Sequence, residues 1–341
     1  MSARSEWAAS PAQKRLSAAR DWATLRSVRV LLAILLVLGA CDRATSPGTL
    51  TRATPATEAT NGSSARSSAS SAASSAIAQL TVPAHQIYQP SGLEPGQRRP
   101  LLIFLHGLGG SGKSAFDALH LAAFGERESV FVVAPDGNTD RQRRQFWNAG
   151  AACCNFDPQE VDDVGRLARL LDTWRARPDV DSTRVYVMGF SNGGFMTERL
   201  VCALGDRITA AASMSGAAPP AEQACTPTRS LALLELRGDA DEIVRYGGGS
   251  VFDTPGLSTF LGAEQGFRSW AKRLGCGGDA LAAPDRDLDP RLPGSETRVE
   301  RYTGCPGGSV ELWSVRGGNH FVGMRQQAFS AVWEFLAAHH S

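Results

Sequence analysis

The stretch Val185-Tyr186-Val187-Met188-Gly189-Phe190-Ser191-Asn192-Gly193-Gly194 constrains the fold of this chain more than any other. A short apolar, β-branched run stops abruptly at Gly-x-Ser-x-Gly, and a helix-compatible segment follows from Phe195 to Leu204. Such a strand, sharp turn and helix raise the serine on the apex of the turn, where its hydroxyl is presented as a nucleophile. Glycines are needed at 189 and 193 because a Cβ there would collide with the neighbouring strand and helix. The helix that follows aims its first N–H groups and its positive dipole end at the same place, which suits a developing oxyanion. Gly-x-Ser-x-Gly alone occurs often by chance; the strand before it and the helix after it give it weight.

The chain has 341 residues, 43% of them hydrophobic and 20% charged, with a formal net charge of +1. That is a globular composition. No Lys/Arg block interleaved with aromatics appears, so nothing points to a nucleic-acid partner, and the scattered arginines read as solvated surface. Near the N-terminus, Leu31 to Ala40 is a short apolar run preceded by Arg20, Arg26 and Arg29. It is too short to span a bilayer comfortably and fits the apolar region of an export signal. Its end, Leu38-Gly39-Ala40-Cys41, resembles the lipobox of bacterial lipoproteins, which implies a lipid on Cys41 and attachment to a membrane facing the periplasm or exterior. An ordinary secretory signal or a buried apolar helix are the alternatives. The segment from Met1 to about Ser27 is long for the region before an export signal, as in an unusual leader or a start assigned too far upstream.

Residues 1–40 are therefore expected to be an export segment, 41–78 a Ser/Thr/Ala-rich tether, and 79–341 one catalytic domain. The tether has few large apolar side chains and cannot bury enough surface to offset its chain entropy. Seven cysteines are present; with Cys41 lipidated, Cys153, Cys154, Cys202, Cys225, Cys276 and Cys305 remain. An even set in an exported protein reads as disulfides of undetermined pairing, and no spacing suits zinc. The adjacent Cys153 and Cys154 are expected to bond elsewhere than to each other, because a bond between neighbours strains the intervening peptide.

From about Gln79 onward, short apolar runs read as buried strands: Leu101–Leu105, Val130–Ala134, Val185–Met188, Ala210–Met214, Leu231–Leu236 and Val310–Val315. Helix-period stretches lie between or beyond them, at 161–175, 195–204, 264–273 and 326–338. The alternation predicts a doubly wound, mostly parallel sheet with helices on both faces, and the strand–Gly-x-Ser-x-Gly–helix turn within it resembles the nucleophile elbow of the α/β-hydrolase fold. Residues 275–297, rich in Asp, Pro and Gly, are expected to be a surface loop.

A serine nucleophile needs a base, a carboxylate to orient that base, and N–H donors for the oxyanion. On this fold they follow in the order serine, acid, histidine. Only His320, His339 and His340 lie after Ser191, and the last two sit at the chain end, where frayed segments are common. His320, in a Gly-rich loop after Val310–Val315, is the candidate base. Asp241, at the carboxyl end of Leu231–Leu236, is the candidate acid, with Asp239 in second place. The backbone N–H groups of Asn192 and of Leu108, in the loop His106-Gly107-Leu108-Gly109-Gly110, are the candidate oxyanion donors. His106 precedes the serine and is expected to prop that loop. Gly107 to Ser114 also matches Gly-x-x-x-x-Gly-Lys-Ser, a phosphate-binding string with Asp136 as a possible magnesium partner, but that reading leaves Ser191 unexplained. Phe146 and Trp147 are read as packing residues before groove residues. The chemistry requires no metal and no organic cofactor.

These residues resemble the polyhydroxybutyrate depolymerase-like and feruloyl esterase branch of the α/β-hydrolases. The matching pieces are Pro100 to Gly107, Ala134-Pro135-Asp136-Gly137, Val161-Asp162-Asp163-Val164-Gly165, Gly189 to Gly194, Tyr246-Gly247-Gly248 and Gly317-Gly318-Asn319-His320. The resemblance implies Ser191, Asp241 and His320 as a triad acting on a carboxylic ester of feruloyl, acetyl-polysaccharide or polyhydroxyalkanoate type. It also implies the bonds Cys202–Cys225 and Cys276–Cys305. Two departures stand out: the acid loop opens Arg237-Gly238 where His-Gly is usual, and Phe321-Val322-Gly323 follows His320 where Trp-Pro-Gly is usual. A serine peptidase on the same fold, or a surface lipoprotein that binds without turnover, are the rival readings.

Overall fold

The computed structural model describes residues 81–155, 161–220 and 225–340. All of them belong to the unit Ala73–Ser341. The expected export segment 1–40, Cys41 and the stretch 41–78 lie outside the described residues.

The chain runs β1 (Ile87–Tyr88), β2 (Arg99–Leu105), α1 (Gly112–Ala118), α2 (Leu121–Glu128), β3 (Phe131–Val133), then the small hairpin β4 (Asn138–Thr139) and β5 (Gln145–Phe146). It continues through α3 (Asp163–Arg175), β6 (Val180–Phe190), α4 (Asn192–Leu204), β7 (Ala210–Met214), β8 (Ala232–Gly238), β9 (Gly248–Gly249) and β10 (Phe260–Leu261). The last elements are α5 (Ala263–Arg273), β11 (Leu281–Arg286), β12 (Thr297–Cys305), β13 (Gly308–Val315) and α6 (Gln326–Ala337). Nine strands form one sheet in the order β1-β3-β2-β6-β7-β8-β13-β12-β11. Every pairing from β3 across to β13 is parallel, and antiparallel strands occur only at the two margins.

Strand periodicity divides the core into two layers, because alternate side chains point to opposite faces. Leu101, Ile103, Leu105 and Val187 pack on one side with Leu167 of α3, Leu200 of α4 and Trp270 of α5. Leu102, Phe104 and Met188 pack on the other with Phe124 of α2 and Phe329 of α6. Both faces of the central strands are covered, which is why those strands read as unbroken apolar runs. The loops that leave the carboxyl ends of β2, β6, β8 and β13 meet at one edge of the sheet.

Residues 275–297 are not a plain loop. Leu281–Arg286 forms β11, which pairs antiparallel with β12 through Leu281↔Arg301 and Ala283↔Val299. It is the outermost strand and nearly all of it is exposed, so it carries no apolar alternation to read. Pro284 is tolerated there because an edge strand can leave one N–H position unpaired.

Disulfides join Cys202 to Cys225 and Cys276 to Cys305. Cys153 and Cys154 bond to each other, contrary to the expectation from peptide strain. The other four described cysteines are paired among themselves, which leaves each of these two sulfurs its neighbour as partner among the described residues, and both are buried in the turn after β5. The Cys276–Cys305 bond ties the end of α5 to the end of β12 across 29 residues. Replacing both cysteines with alanine should lower the unfolding free energy by about 3.6 kcal/mol, the chain-entropy value for a loop of that length. Urea unfolding of the double variant beside the wild type measures it.

Candidate active site

Strand β6 ends at Phe190, α4 begins at Asn192, and Ser191 between them adopts φ 54°, ψ −119°. This region of backbone space is strained for a residue with a Cβ, by roughly 1–3 kcal/mol. Surrounding contacts hold it there. The Ser191 N–H donates to Met214 O at 2.8 Å, and its carbonyl accepts from Phe195 N at 3.0 Å. A Cβ on residue 189 would lie 2.1 Å from Gly193 O, and one on residue 193 would lie 2.1 Å from Leu105 O. The turn is closed on both sides by backbone, so only glycine fits at either position.

The loops after β8 and β13 bring two further side chains to the serine. His320 Nε2 lies 2.9 Å from Ser191 Oγ, and His320 Nδ1 lies 2.7 Å from Asp241 Oδ2. The other carboxylate oxygen of Asp241 accepts from the N–H groups of Ile243 at 2.8 Å and Val244 at 2.9 Å. Those donors fix the carboxylate and leave Oδ2 for the imidazole Nδ1–H. His320 and Asp241 are both buried. Phe190 and the exposed Phe321 flank the imidazole with ring centroids 5.2 and 5.4 Å away, and Ser215 Oγ donates to His320 O. Asp239, the second candidate acid, does not meet the imidazole. Its Oδ1 accepts from Gly317 N at 2.6 Å and so ties the acid loop to the histidine loop. His339 sits at the end of α6, with Nδ1 on Phe335 O.

The candidate oxyanion donors are also adjacent. A Cβ on Gly107 would lie 3.3 Å from the Ser191 Cβ, so the loop after β2 runs directly against the serine. In that loop Gly109 N donates to Gln145 O and Gly110 N to Gly107 O, while the Leu108 N–H meets no acceptor among the described residues. The Asn192 N–H, at the first position of α4, is likewise without an acceptor among them, as expected of a helix start. The Asn192 side chain is completely buried. Its Oδ1 accepts from Trp147 N at 2.7 Å and its Nδ2 donates to Trp147 O at 2.9 Å and approaches Cys153 Sγ at 3.6 Å. The Trp147 indole N–H in turn donates to His106 O at 3.0 Å. Phe146 and Trp147 are both buried in the interior.

The His106 ring bridges two loops. Its Nδ1–H donates to Gly107 O at 2.8 Å, and its Nε2 accepts from Gly137 N at 2.9 Å. A ring nitrogen that accepts must be unprotonated, and burial pushes the His106 pKa below its ordinary value. The phosphate-binding string at Gly107 to Ser114 has no cradle to offer. Ser111 and Ser114 form a reciprocal cap for α1, Gly112 N donates to Asp136 Oδ1 at 2.8 Å, and Lys113 pairs with Asp117 on the surface. Among the described residues no three His, Cys, Asp or Glu side chains are gathered as a metal ion would need.

A serine elbow at the carboxyl edge of a parallel sheet, with helices on both faces, is the α/β-hydrolase fold. Residues 93–264 match the phospholipase/carboxylesterase family, half of the chain, and the protein belongs to that family. It is 31% identical over 253 residues to feruloyl esterase B of Piromyces equi, an alignment covering 72% of this chain and 44% of that protein. It is 29% identical over 132 residues to poly(3-hydroxyalkanoate) depolymerase C of Paucimonas lemoignei, covering 37% of this chain and 30% of the relative. The relatives are thus of the feruloyl esterase and depolymerase kind that the motifs resemble, although the chain spans less than half the length of either. Acetyl xylan esterase from Aspergillus awamori shares the fold, with a TM-score of 0.51 at 14% identity over 74% of this chain and 92% of the other.

The His106 bridge makes stability depend on pH with a definite sign. Its pKa in the folded chain is below the unfolded value, so as pH falls through about 6.5 the unfolded chain binds a proton that the folded chain refuses. Stability from this group is therefore present above pH 6.5 and lost below it, by up to about 1.4 kcal/mol per pH unit. Urea unfolding between about pH 7.5 and 5.5 should show a shallower decline for His106→Gln than for wild type.

Proposed function

We propose that this protein is an exported serine ester hydrolase. The observation that carries the reading is the continuous row from Asp241 Oδ2 through His320 to Ser191 Oγ, with spacings of 2.7 and 2.9 Å. Ser191 attacks the ester carbonyl while His320 Nε2 takes the hydroxyl proton, and Asp241 holds the Nδ1–H tautomer and stabilises the imidazolium. The N–H groups of Leu108 and Asn192 donate to the oxyanion. His320 then protonates the departing alcohol, takes a proton from the water that attacks the acyl carbon, and gives it to Ser191 Oγ as the Oγ–acyl bond breaks and the acid leaves. Every proton movement in this cycle has a named atom, and none needs a cofactor.

The substrate is an acyl ester of polysaccharide or a polyhydroxyalkanoate, the chemistry named in the relatives' activities. An exposed Phe321 beside the imidazole gives the entrance an apolar wall suited to such acyl groups. Export through residues 1–40 and a lipid on Cys41 would place the catalytic domain at a bacterial membrane surface, held off it by residues 41–78. Under this reading Cys41→Ser removes incorporation of labelled fatty acid and releases the protein from the membrane fraction. Unchanged fractionation would refute the anchor and leave the enzyme untouched.

A fluorophosphonate probe should label the folded wild type stoichiometrically and leave Ser191→Ala unlabelled. On short acyl esters, methyl ferulate, acetylated xylan and hydroxyalkanoate oligomers, Ser191→Ala and His320→Ala should lower kcat roughly 10⁴–10⁶-fold. Matched amides should turn over far more slowly than esters. A folded wild type that neither labels nor hydrolyses any of these would overturn the proposal.

A further inference from the structure

Arginine at a buried position needs a reason, because taking a guanidinium out of water costs several kcal/mol unless its charge and donors are compensated. Arg237 is 1% exposed and stands at the end of β8, four residues before Asp241. The reading of every arginine as surface fails here, since strand alternation turns Leu233, Glu235 and Arg237 toward the face covered by α4 and α5. Nη2 of Arg237 donates to the carbonyls of Val244, at 3.3 Å, and Arg245, at 3.1 Å. The same short segment supplies the two N–H groups that hold Asp241 Oδ1. One residue is thereby gripped from both sides: the N–H of Val244 holds the carboxylate, and its C=O is held by the guanidinium.

Two acidic side chains share the interior with this guanidinium. Glu235 of β8 and Glu198 of α4 are both completely buried in the same interior, with Ser213 of β7 and with Trp270 and Arg273 of α5 around them. Trp270 Nε1 donates to Glu198 Oε2 at 2.8 Å. Burial pushes both carboxyl groups above the usual range, the charge of Glu198 raises Glu235 further, and Arg237 pulls both back down. The guanidinium therefore favours the charged form of both carboxyl groups inside the core.

We propose that Arg237 is a positioning residue for the carboxylate of the triad. Its guanidinium holds the 243–245 turn that presents Asp241 to His320. The inference rests on the hydrolase reading above and adds to it a residue that lies on the far side of the acid loop from the substrate. It also gives a physical role to the departure at this position, where the resemblance leads to histidine. A shorter imidazole could not span from the strand end to two successive carbonyls in this way; the longer arginine side chain brings one Nη2 group to both.

The test compares Arg237→Met and Arg237→Lys with wild type by three readouts. The first is ester hydrolysis, the second the low-field proton resonance of His320 Nδ1–H, assigned through its loss in His320→Ala, and the third thermal unfolding. Arg237→Met should lower kcat roughly 10–100-fold with KM within about twofold, the loss expected when an orienting contact is removed without touching substrate. The resonance should move upfield or broaden in the same variant, and Arg237→Lys should recover part of both. A merely structural arginine would change thermal unfolding alone and leave kcat and the resonance at wild-type values, which overturns the proposal. Should Arg237→Met fail to fold, Arg237→Lys decides by the same two readouts: wild-type kcat and resonance overturn, partial loss supports. An inert wild type would sink the hydrolase reading, whereas the resonance still reports whether Arg237 governs the Asp241–His320 bond.

Discussion

The backbone of Ser191 is the constraint on which the site depends. A residue at φ 54°, ψ −119° does not stay there unaided, and the elbow is held by contacts too close to admit a Cβ on either side. Those contacts are made by the central part of the sheet: β2 supplies Leu105 O against Gly193, and β7 supplies Met214 O for the Ser191 N–H. Strand β6 lies between β2 and β7 in the parallel order. The strain at one residue is thus sustained by the register of three buried strands, so the serine is presented at a fixed point and not on a mobile loop.

Around that point the polar groups form two supports. On the side of the β2 loop, the Asn192 side chain pairs with both backbone groups of Trp147, Trp147 reaches His106 O, and the His106 ring reaches Gly137 N. All of these atoms are buried or nearly so, and each hydrogen bond is stronger for being out of water. On the acid side, Asp239 ties Gly317 to the Asp241 loop, and Arg237 holds the carbonyls on the other flank of the same loop. Neither support includes the three side chains of the proton-passing row. Both determine where those side chains can be.

What could be read from the sequence divides along physical lines. The buried parallel strands announce themselves because both faces are covered and the residues are uniformly apolar. The elbow does so because only glycine fits on either side of the serine. His320 follows from the small number of histidines after Ser191. Asp241 and Asp239 could not be separated by spacing, since both lie on the carboxyl end of β8; only the loop's path, folding its 243 and 244 amides onto Asp241, separates them. Strand β11 is invisible as a pattern because it buries neither face. The Cys153–Cys154 bond was hidden by a strain argument that considers the two residues alone, without the pairing of the other four. Arg237 escaped because charged residues are nearly always outside, and composition carries no signal for the exception.

The loop after β2 shows why a motif has to be judged by where its hydrogen bonds go. Gly107 to Ser114 satisfies the spacing of a phosphate-binding loop, and glycines serve both kinds of loop for the same reason, by letting main-chain N–H groups turn toward an anion. The difference lies in what each N–H meets. Those of Gly109, Gly110, Gly112 and Ser114 are engaged by Gln145 O, Gly107 O, Asp136 and the Ser111 hydroxyl in turn. A carboxylate at Gly112 stands where a phosphate cradle would need an open donor, and it would repel an anion besides. Leu108, beside the serine, is left as the open donor of the loop's glycine-flanked turn. A cradle that could surround a triphosphate needs several converging amides, and a turn with one unengaged amide cannot supply them.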